Sequence, residues 1–462
     1  MMVGSGTGKD RAGSTLGSFA RRLPITLALS WWAFAYLLWL VGWPIRYPTT
    51  NALQVTLLVV ACGAAAVLGF SAVRWARGQA VSPTVTSAIR DDRLPLPVVI
   101  GVVGALALVP VTVSTYSGFG LAELGDALSD QAAAFDQASQ RILEGSASRS
   151  GLLLLQAALA PFTLSAIPYL ALAWFERRRH GLVLLLALAP PIVISIAVGR
   201  DQQLGWSMVL VGASWVLSRV RRRMPLRVGG VIALALAAAI AMTIFVSRKF
   251  ARFAGAIICP PGAETCLGGS ANGGSDVESG LAVLSSYASQ GFEGLGRALN
   301  AQWQFGGGLS HAPALQAQIS ALFGWPLPTT VSSQLNELGW SDSWYWSTGM
   351  TGIANDVPWV LIPLVFLVQG ALLAATWRRA LLAPDWLTVA VFTYTWLGLL
   401  FTPQNLQLTV SGPSYVGYLV LVTCYLIRGA LDSTRTQSRT LVGVTRPPTP
   451  ARRRGSAAAE RA

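Results

Sequence analysis

The chain contains two histidines, and one of them, His311, stands where a base could meet a substrate. It closes the run Gly306-Gly-Gly-Leu-Ser-His311 and is followed by Ala312 and Pro313. Glycines let a ligand come close to the backbone. An imidazole titrates near neutral pH and can take a proton from a hydroxyl. The plainer alternative is a loop histidine bonded only to backbone. His180 follows Arg177, Arg178 and Arg179 and reads as a helix-end residue. A second group is cationic: Arg200, then Arg248, Lys249 and Arg252. A guanidinium grips a phosphate through two parallel hydrogen bonds, so these residues suit an anionic ligand, and they suit lipid headgroups equally well. Phosphate-loop, His-Glu-x-x-His and Gly-x-Ser-x-Gly patterns are missing, which leaves nucleotide hydrolysis, zinc proteolysis and serine hydrolysis without support. No cofactor and no metal ligand set is expected.

The elements that must hold these groups are membrane helices. Of the 462 residues, 53% are hydrophobic and 12% charged, a composition far from that of a soluble domain. Apolar stretches long enough to cross the hydrocarbon layer recur along the chain. The pattern predicts about ten spans, near 24–43, 51–73, 95–114, 151–175, 181–199, 204–218, 228–246, 357–377, 384–400 and 412–428. With both termini cytoplasmic, 26 of the 34 basic residues fall on the cytoplasmic side, in clusters at span ends. That asymmetry is the positive-inside signal. It explains the net charge of +14 better than nucleic-acid binding does, because the arginines flank spans. Acidic residues within spans are nearly absent, which weighs against a proton-driven transporter.

The expected organisation is a disordered cytoplasmic tail (1–23), seven spans (24–246), a large outer loop (247–356), three spans (357–428) and a disordered basic tail (429–462). A smaller outer loop, roughly 115–150, reads as one short surface helix. The large loop is too long for a connector and carries Tyr287, Phe292, Trp303, Phe305, Phe323, Trp325, Trp340, Trp344, Tyr345 and Trp346. Aromatics at that density pack or sit at the membrane interface, so a folded, partly helical cap is expected, turning at Gly291, Gly294, Gly296 and Gly306 to Gly308. Cys62 and Cys424 fall in spans. Cys259 and Cys266 fall outside, where disulfides persist, and Pro260, Pro261 and Gly262 between them allow a turn that would bring them together.

Two stretches of this loop carry a family resemblance. Ser286-Tyr-Ala-Ser-Gln-Gly-Phe-Glu-Gly-Leu295 followed by Gly306-Gly-Gly-Leu-Ser-His311 resembles the outer-loop signature of Wzy-type O-antigen and oligosaccharide repeat-unit polymerases. Trp346-Ser-Thr348 and Asp356 are similar to the family's Trp-x-Thr element and the Asp before the next span. The motif resemblance covers about 75 residues. It departs where Leu-Ser precedes the His and where Val357-Pro358 follows Asp356. The resemblance implies a lipid-dependent, GT-C-like glycosyltransferase in the cytoplasmic membrane. Its substrate would be a polyprenyl-pyrophosphate-linked oligosaccharide, with chain-length regulators or flippases as protein partners. It implies catalytic roles for Arg200, His311 and Asp356, and substrate binding by Arg248, Lys249, Arg252, Tyr287, Gln290, Trp303 and Trp346. A glycan ligase of the same chemical class and a non-enzymatic lipid-linked-glycan transporter are the alternatives.

Overall fold

The computed structural model describes residues 8–73, 93–117, 120–143, 151–222, 276–341 and 345–443. Every regular element among them is helical. In chain order they are α1 (Gly8–Val41), α2 (Ala52–Ala72), α3 (Leu96–Tyr116), α4 (Leu124–Ser129), α5 (Gln131–Leu143), α6 (Gly151–Arg177), α7 (Gly181–Ala197) and α8 (Gln202–Arg221). The next described helices are α9 (Asp276–Ala298), α10 (Pro313–Phe323), α11 (Gly349–Ala354), α12 (Ile362–Leu382), α13 (Trp386–Leu400) and α14 (Gly412–Gly443).

Among the described residues, six segments are long and apolar enough to cross a bilayer: Ala20–Val41, Ala52–Ala72, Leu96–Tyr116, Gly151–Arg177, Trp359–Leu382 and Gly412–Asp432. The chain is therefore a polytopic membrane protein. Helices α7 and α13 are apolar but short, at 17 and 15 residues. Helix α8 has 20 residues, but Gln202, Gln203, Arg219 and Arg221 dilute its apolar character. The expected span 228–246 lies outside the described residues, as do Arg248, Lys249, Arg252, Trp344, Cys259 and Cys266.

Lipid offers no hydrophobic drive for helices to associate, so close packing of small residues has to do it. Helices α2 and α12 show how. A Cβ on Gly69 would overlap the Leu367 carbonyl, and one on Gly370 would overlap that of Ala66, so these two backbones touch only because both positions are glycine. The buried tryptophans Trp32, Trp39, Trp340 and Trp377 belong to the same hydrophobic cluster as Ala66 and Phe366 at this contact.

A chain of contacts gathers the non-spanning segments at one end of the bundle. Thr50 Oγ1 donates to Glu293 Oε1 at 2.6 Å, and Thr348 N–H reaches Gly291 O at 3.2 Å. Gly349 N–H reaches Thr402 O at 2.7 Å, Gln202 Nε2 reaches Gln407 Oε1 at 3.1 Å, and Arg141 Nη1 reaches Ser114 O at 2.9 Å. The other end is tied by ion pairs. Arg221 meets Glu176 at 2.6 Å and donates to the carbonyls of Ala380 and Leu381. Arg428 meets Asp385 at 3.0 Å, and Arg379 meets Asp432 at 2.9 Å.

Four expectations about local structure change. The first helix starts at Gly8, inside the stretch expected to be a disordered tail, and Pro24 lies within it. Helix α14 runs on to Gly443, because no glycine or proline stands between Ala430 and Val442 to stop it. The segment 115–150 holds a 3₁₀ turn (Leu121–Glu123), α4 and α5 instead of one helix. The break falls at Asp130, whose side chain accepts the Ala133 N–H at 2.9 Å in the manner of an N-cap. Finally, Gly291, Gly294 and Gly296 do not turn the chain but lie inside α9. Each is a place where another backbone or ring presses on the helix: Pro403 at Gly291, Trp340 and Ser347 at Gly294, Thr50 at Gly296.

Candidate functional site

The site forms where the loop between α9 and α10 meets the end of α11. Trp303 Nε1 donates to Ala354 O at 2.8 Å and pins the loop's start. Gly306 N–H then donates to Asn355 O at 2.9 Å, so close that a Cβ on Gly306 would sit 2.6 Å from that oxygen. Gly307 and Gly308 take φ of 85° and 84°, the left-handed region that glycine alone enters at no cost. This turn aims the Gly308 N–H at Asp356 Oδ1, 2.8 Å away. Asn355 completes the clamp: its Nδ2 donates to Ser310 O at 3.0 Å, and its Oδ1 accepts the Ser332 N–H at 2.9 Å. Ser310 Oγ donates to Gly306 O at 2.5 Å and accepts from Gln316 Nε2 at 2.6 Å.

Into this frame comes His311. Its backbone N–H donates to Asp356 Oδ2 at 2.7 Å, and its ring Nδ1 lies 2.6 Å from the same oxygen. The Asp356 side chain is 6% exposed and that of His311 24%, so the carboxylate is enclosed while the imidazole keeps an open edge. The other ring nitrogen, Nε2, lies 2.5 Å from the hydroxyl of Tyr415 on α14, with the two rings edge-on at 82°. A carboxylate that fixes one nitrogen of a histidine leaves the second to exchange protons, the arrangement acid–base catalysis requires.

The other expected residues lie as follows. Arg200 sits between α7 and α8, where its Nη2 reaches Ser139 Oγ at 3.4 Å and its guanidinium lies over the Phe135 ring, 5.5 Å from the centroid. It belongs to the same end of the bundle, because Gln202 and Trp206 next to it both donate to Gln407 Oε1. Tyr287 and Trp346 stack as a tilted pair with centroids 4.4 Å apart. Gln290 is buried, and its Oε1 accepts from Ser286 Oγ at 3.0 Å. Trp303 spends its N–H on the clamp.

Beside Gln290, Glu293 is wholly buried. It accepts from Trp39 Nε1 at 3.3 Å and from Thr50 at both the backbone N–H and the hydroxyl, and it meets Arg297 at 3.1 Å. This motif residue ties α9 to the loop between α1 and α2. Tyr47 in that loop donates to Ser286 Oγ at 3.3 Å, and burial pushes its hydroxyl far above the ordinary tyrosine range, so it stays a donor.

Sequence reasoning misses Tyr415, Asn355 and Ser310. A tyrosine opening a span reads as an interfacial aromatic, and small polar residues in loops carry no signal of their partners. Comparison with family models, curated proteins and solved structures finds no match for this chain.

Proposed function

We propose that the chain polymerises polyprenyl-pyrophosphate-linked oligosaccharide repeat units by glycosyl transfer on the outer face of the cytoplasmic membrane. The observation that carries this reading is the His311–Asp356 pair, seated in a glycine turn among the segments gathered at one end of a membrane helix bundle. A base placed there can meet the sugar hydroxyl of a lipid-anchored acceptor without either substrate leaving the bilayer.

In this mechanism His311 is the base that ends up holding the proton given up on the acceptor side, and Asp356 holds the ring and stabilises the imidazolium that forms. Arg200, with Arg248, Lys249 and Arg252, holds the pyrophosphate and stabilises the charge it gains as the glycosidic bond breaks. Tyr287, Trp303 and Trp346 offer aromatic faces to sugars, and Gln290 a polar contact. The reading places ten spans in the membrane, both termini in the cytoplasm and the GT-C-like type of lipid-dependent transferase behind the chemistry. The motif resemblance of the loop and the positive-inside pattern support it.

The test is purified protein with a synthetic lipid-pyrophosphate repeat. Ladders of longer carrier-linked chains, formed without nucleotide or added metal, are expected. Transfer of a preformed chain to a different acceptor, with no ladder, would make the protein a ligase. In cells lacking the protein, lipid-linked single repeats are expected to gather outside the membrane, whereas accumulation inside would make it a transporter.

A further inference from the structure

Both ring nitrogens of His311 are occupied, and the order of the hydrogens follows from the partners. Asp356 already accepts the N–H groups of Gly308 and His311. A carboxylate is an acceptor only, so it takes the hydrogen on Nδ1 as well. Neutral imidazole carries one hydrogen, so Nε2 presents a lone pair and the Tyr415 hydroxyl, 2.5 Å away, is its donor. The lone pair that a general base uses is therefore already engaged by a phenol. The next acceptor in the series is the oxygen of Tyr415, on a half-buried residue.

The tyrosine is firmly placed. It stands in the first turn of α14, its N–H bonded to Ser411 O at 3.0 Å. Gly412 is pressed against the side chain of Gln318 on α10, and α10 starts directly after His311. An acid, a histidine and a hydroxyl bonded in series form the arrangement that activates a serine in hydrolases. Here a phenol takes the serine's place.

We propose that Tyr415 is the substrate-facing member of a proton relay with His311 and Asp356. In the step, the acceptor hydroxyl gives its proton to the Tyr415 oxygen while the tyrosine's own proton passes to His311 Nε2. The acceptor oxygen bonds to the donor's anomeric carbon, and the bond from that carbon to the pyrophosphate oxygen breaks, its electron pair leaving with the pyrophosphate. The imidazolium proton then returns through Tyr415 to the released pyrophosphate, and the site is reset. The substrate in this step rests on the glycosyl-transfer reading, whereas the relay itself rests on the geometry.

Two measurements on the full-length protein in nanodiscs test it. With only His180 and His311 in the chain, ¹⁵N-histidine NMR resolves both rings, and His180→Gln assigns them. A neutral His311 with its hydrogen on Nδ1 is expected. Tyr415→Phe should shift the Nε2 resonance while leaving the His180 signal in place as a control of the fold. In elongation assays Tyr415→Phe should lower kcat by about 10²–10⁴-fold with KM for the lipid-linked repeat nearly unchanged. Two results would overturn the relay: an Nε2–H tautomer in the wild type, or Tyr415→Phe elongating at the wild-type rate or faster, as expected if the tyrosine only blocks the base. A wild type that elongates nothing, yet shows the Nδ1–H tautomer and the shifted Nε2, keeps the relay and rejects the polymerase reading.

Discussion

Asp356 holds His311 at two points with one oxygen, Oδ2, at 2.7 Å from the backbone nitrogen and 2.6 Å from ring Nδ1. The double contact fixes both the position of the residue and the direction of its ring. Asp356→Asn keeps the size but offers an amide that can donate to Nδ1, which would reverse the tautomer. Elongation rates of Asp356→Asn and His311→Ala should both fall by about 10²–10⁴-fold. The double variant should be little worse than either single, since the two residues act as one unit. Rates that multiply instead would show that the pair does not work together.

The glycine turn gives a graded test of the same frame. At Gly306 a Cβ would meet the Asn355 carbonyl and the Ser310 side chain, so Gly306→Ala must push the loop away from α11. Forcing a group into such a contact costs about 1–3 kcal/mol. Gly307 has open space but a φ of 85°, so Gly307→Ala carries only backbone strain of roughly 1–2 kcal/mol. Thermal unfolding in detergent should rank them in that order, and elongation should drop more for Gly306→Ala, because its shift reaches His311.

Glu293 is expected to matter for folding rather than for turnover. Its carboxylate is fully buried among Trp39, Thr50 and Arg297. Removing one partner of a buried pair leaves the other uncompensated, at about 3–5 kcal/mol. Glu293→Ala should therefore lower the melting temperature sharply, with Glu293→Gln intermediate. Normal melting of Glu293→Ala combined with lost elongation would move Glu293 into the chemistry.

Helix type and the membrane setting were legible in the sequence because apolar length is a local property. Gly69 and Gly370 were not legible as a contact, since each looks like any glycine in a span until the partner backbone is in place. The same limit explains Gly291, Gly294 and Gly296: a glycine run suggests turns, whereas here three close approaches to one helix require it. Of the site, His311 and Asp356 stand out by residue type and loop position. Tyr415 does not, because its role arises only from the packing of α14 against the loop 104 residues earlier in sequence.

Orientation can be read with cysteine labelling in a background lacking the native cysteines. Gln304 and Arg179 are both exposed and lie at opposite ends of the bundle. An impermeant thiol reagent added to intact cells should label Gln304→Cys, while Arg179→Cys should label only after the membrane is opened. The reverse pattern would invert the topology and place His311 on the cytoplasmic side.

Arg200 offers the sharpest separation of binding from architecture. Its guanidinium lies over Phe135 and reaches Ser139, so part of its role is to seat α5 against the start of α8. If seating were all, Arg200→Ala and Phe135→Leu would lower the melting temperature to similar degrees and leave the rate per folded molecule unchanged. A phosphate contact predicts otherwise. Loss of a group that stabilises transition-state charge costs about 10²–10³ in rate, or roughly 2.7–4 kcal/mol, and Phe135→Leu should not share that loss. Arg200→Lys keeps the charge but loses the planar fork and its stacking, so its rate should fall between wild type and Arg200→Ala. Elongation per folded molecule, compared across these three variants, decides the matter. Near wild-type turnover in Arg200→Ala would leave Arg200 an anchor for α5 and pass the pyrophosphate to Arg248, Lys249 and Arg252.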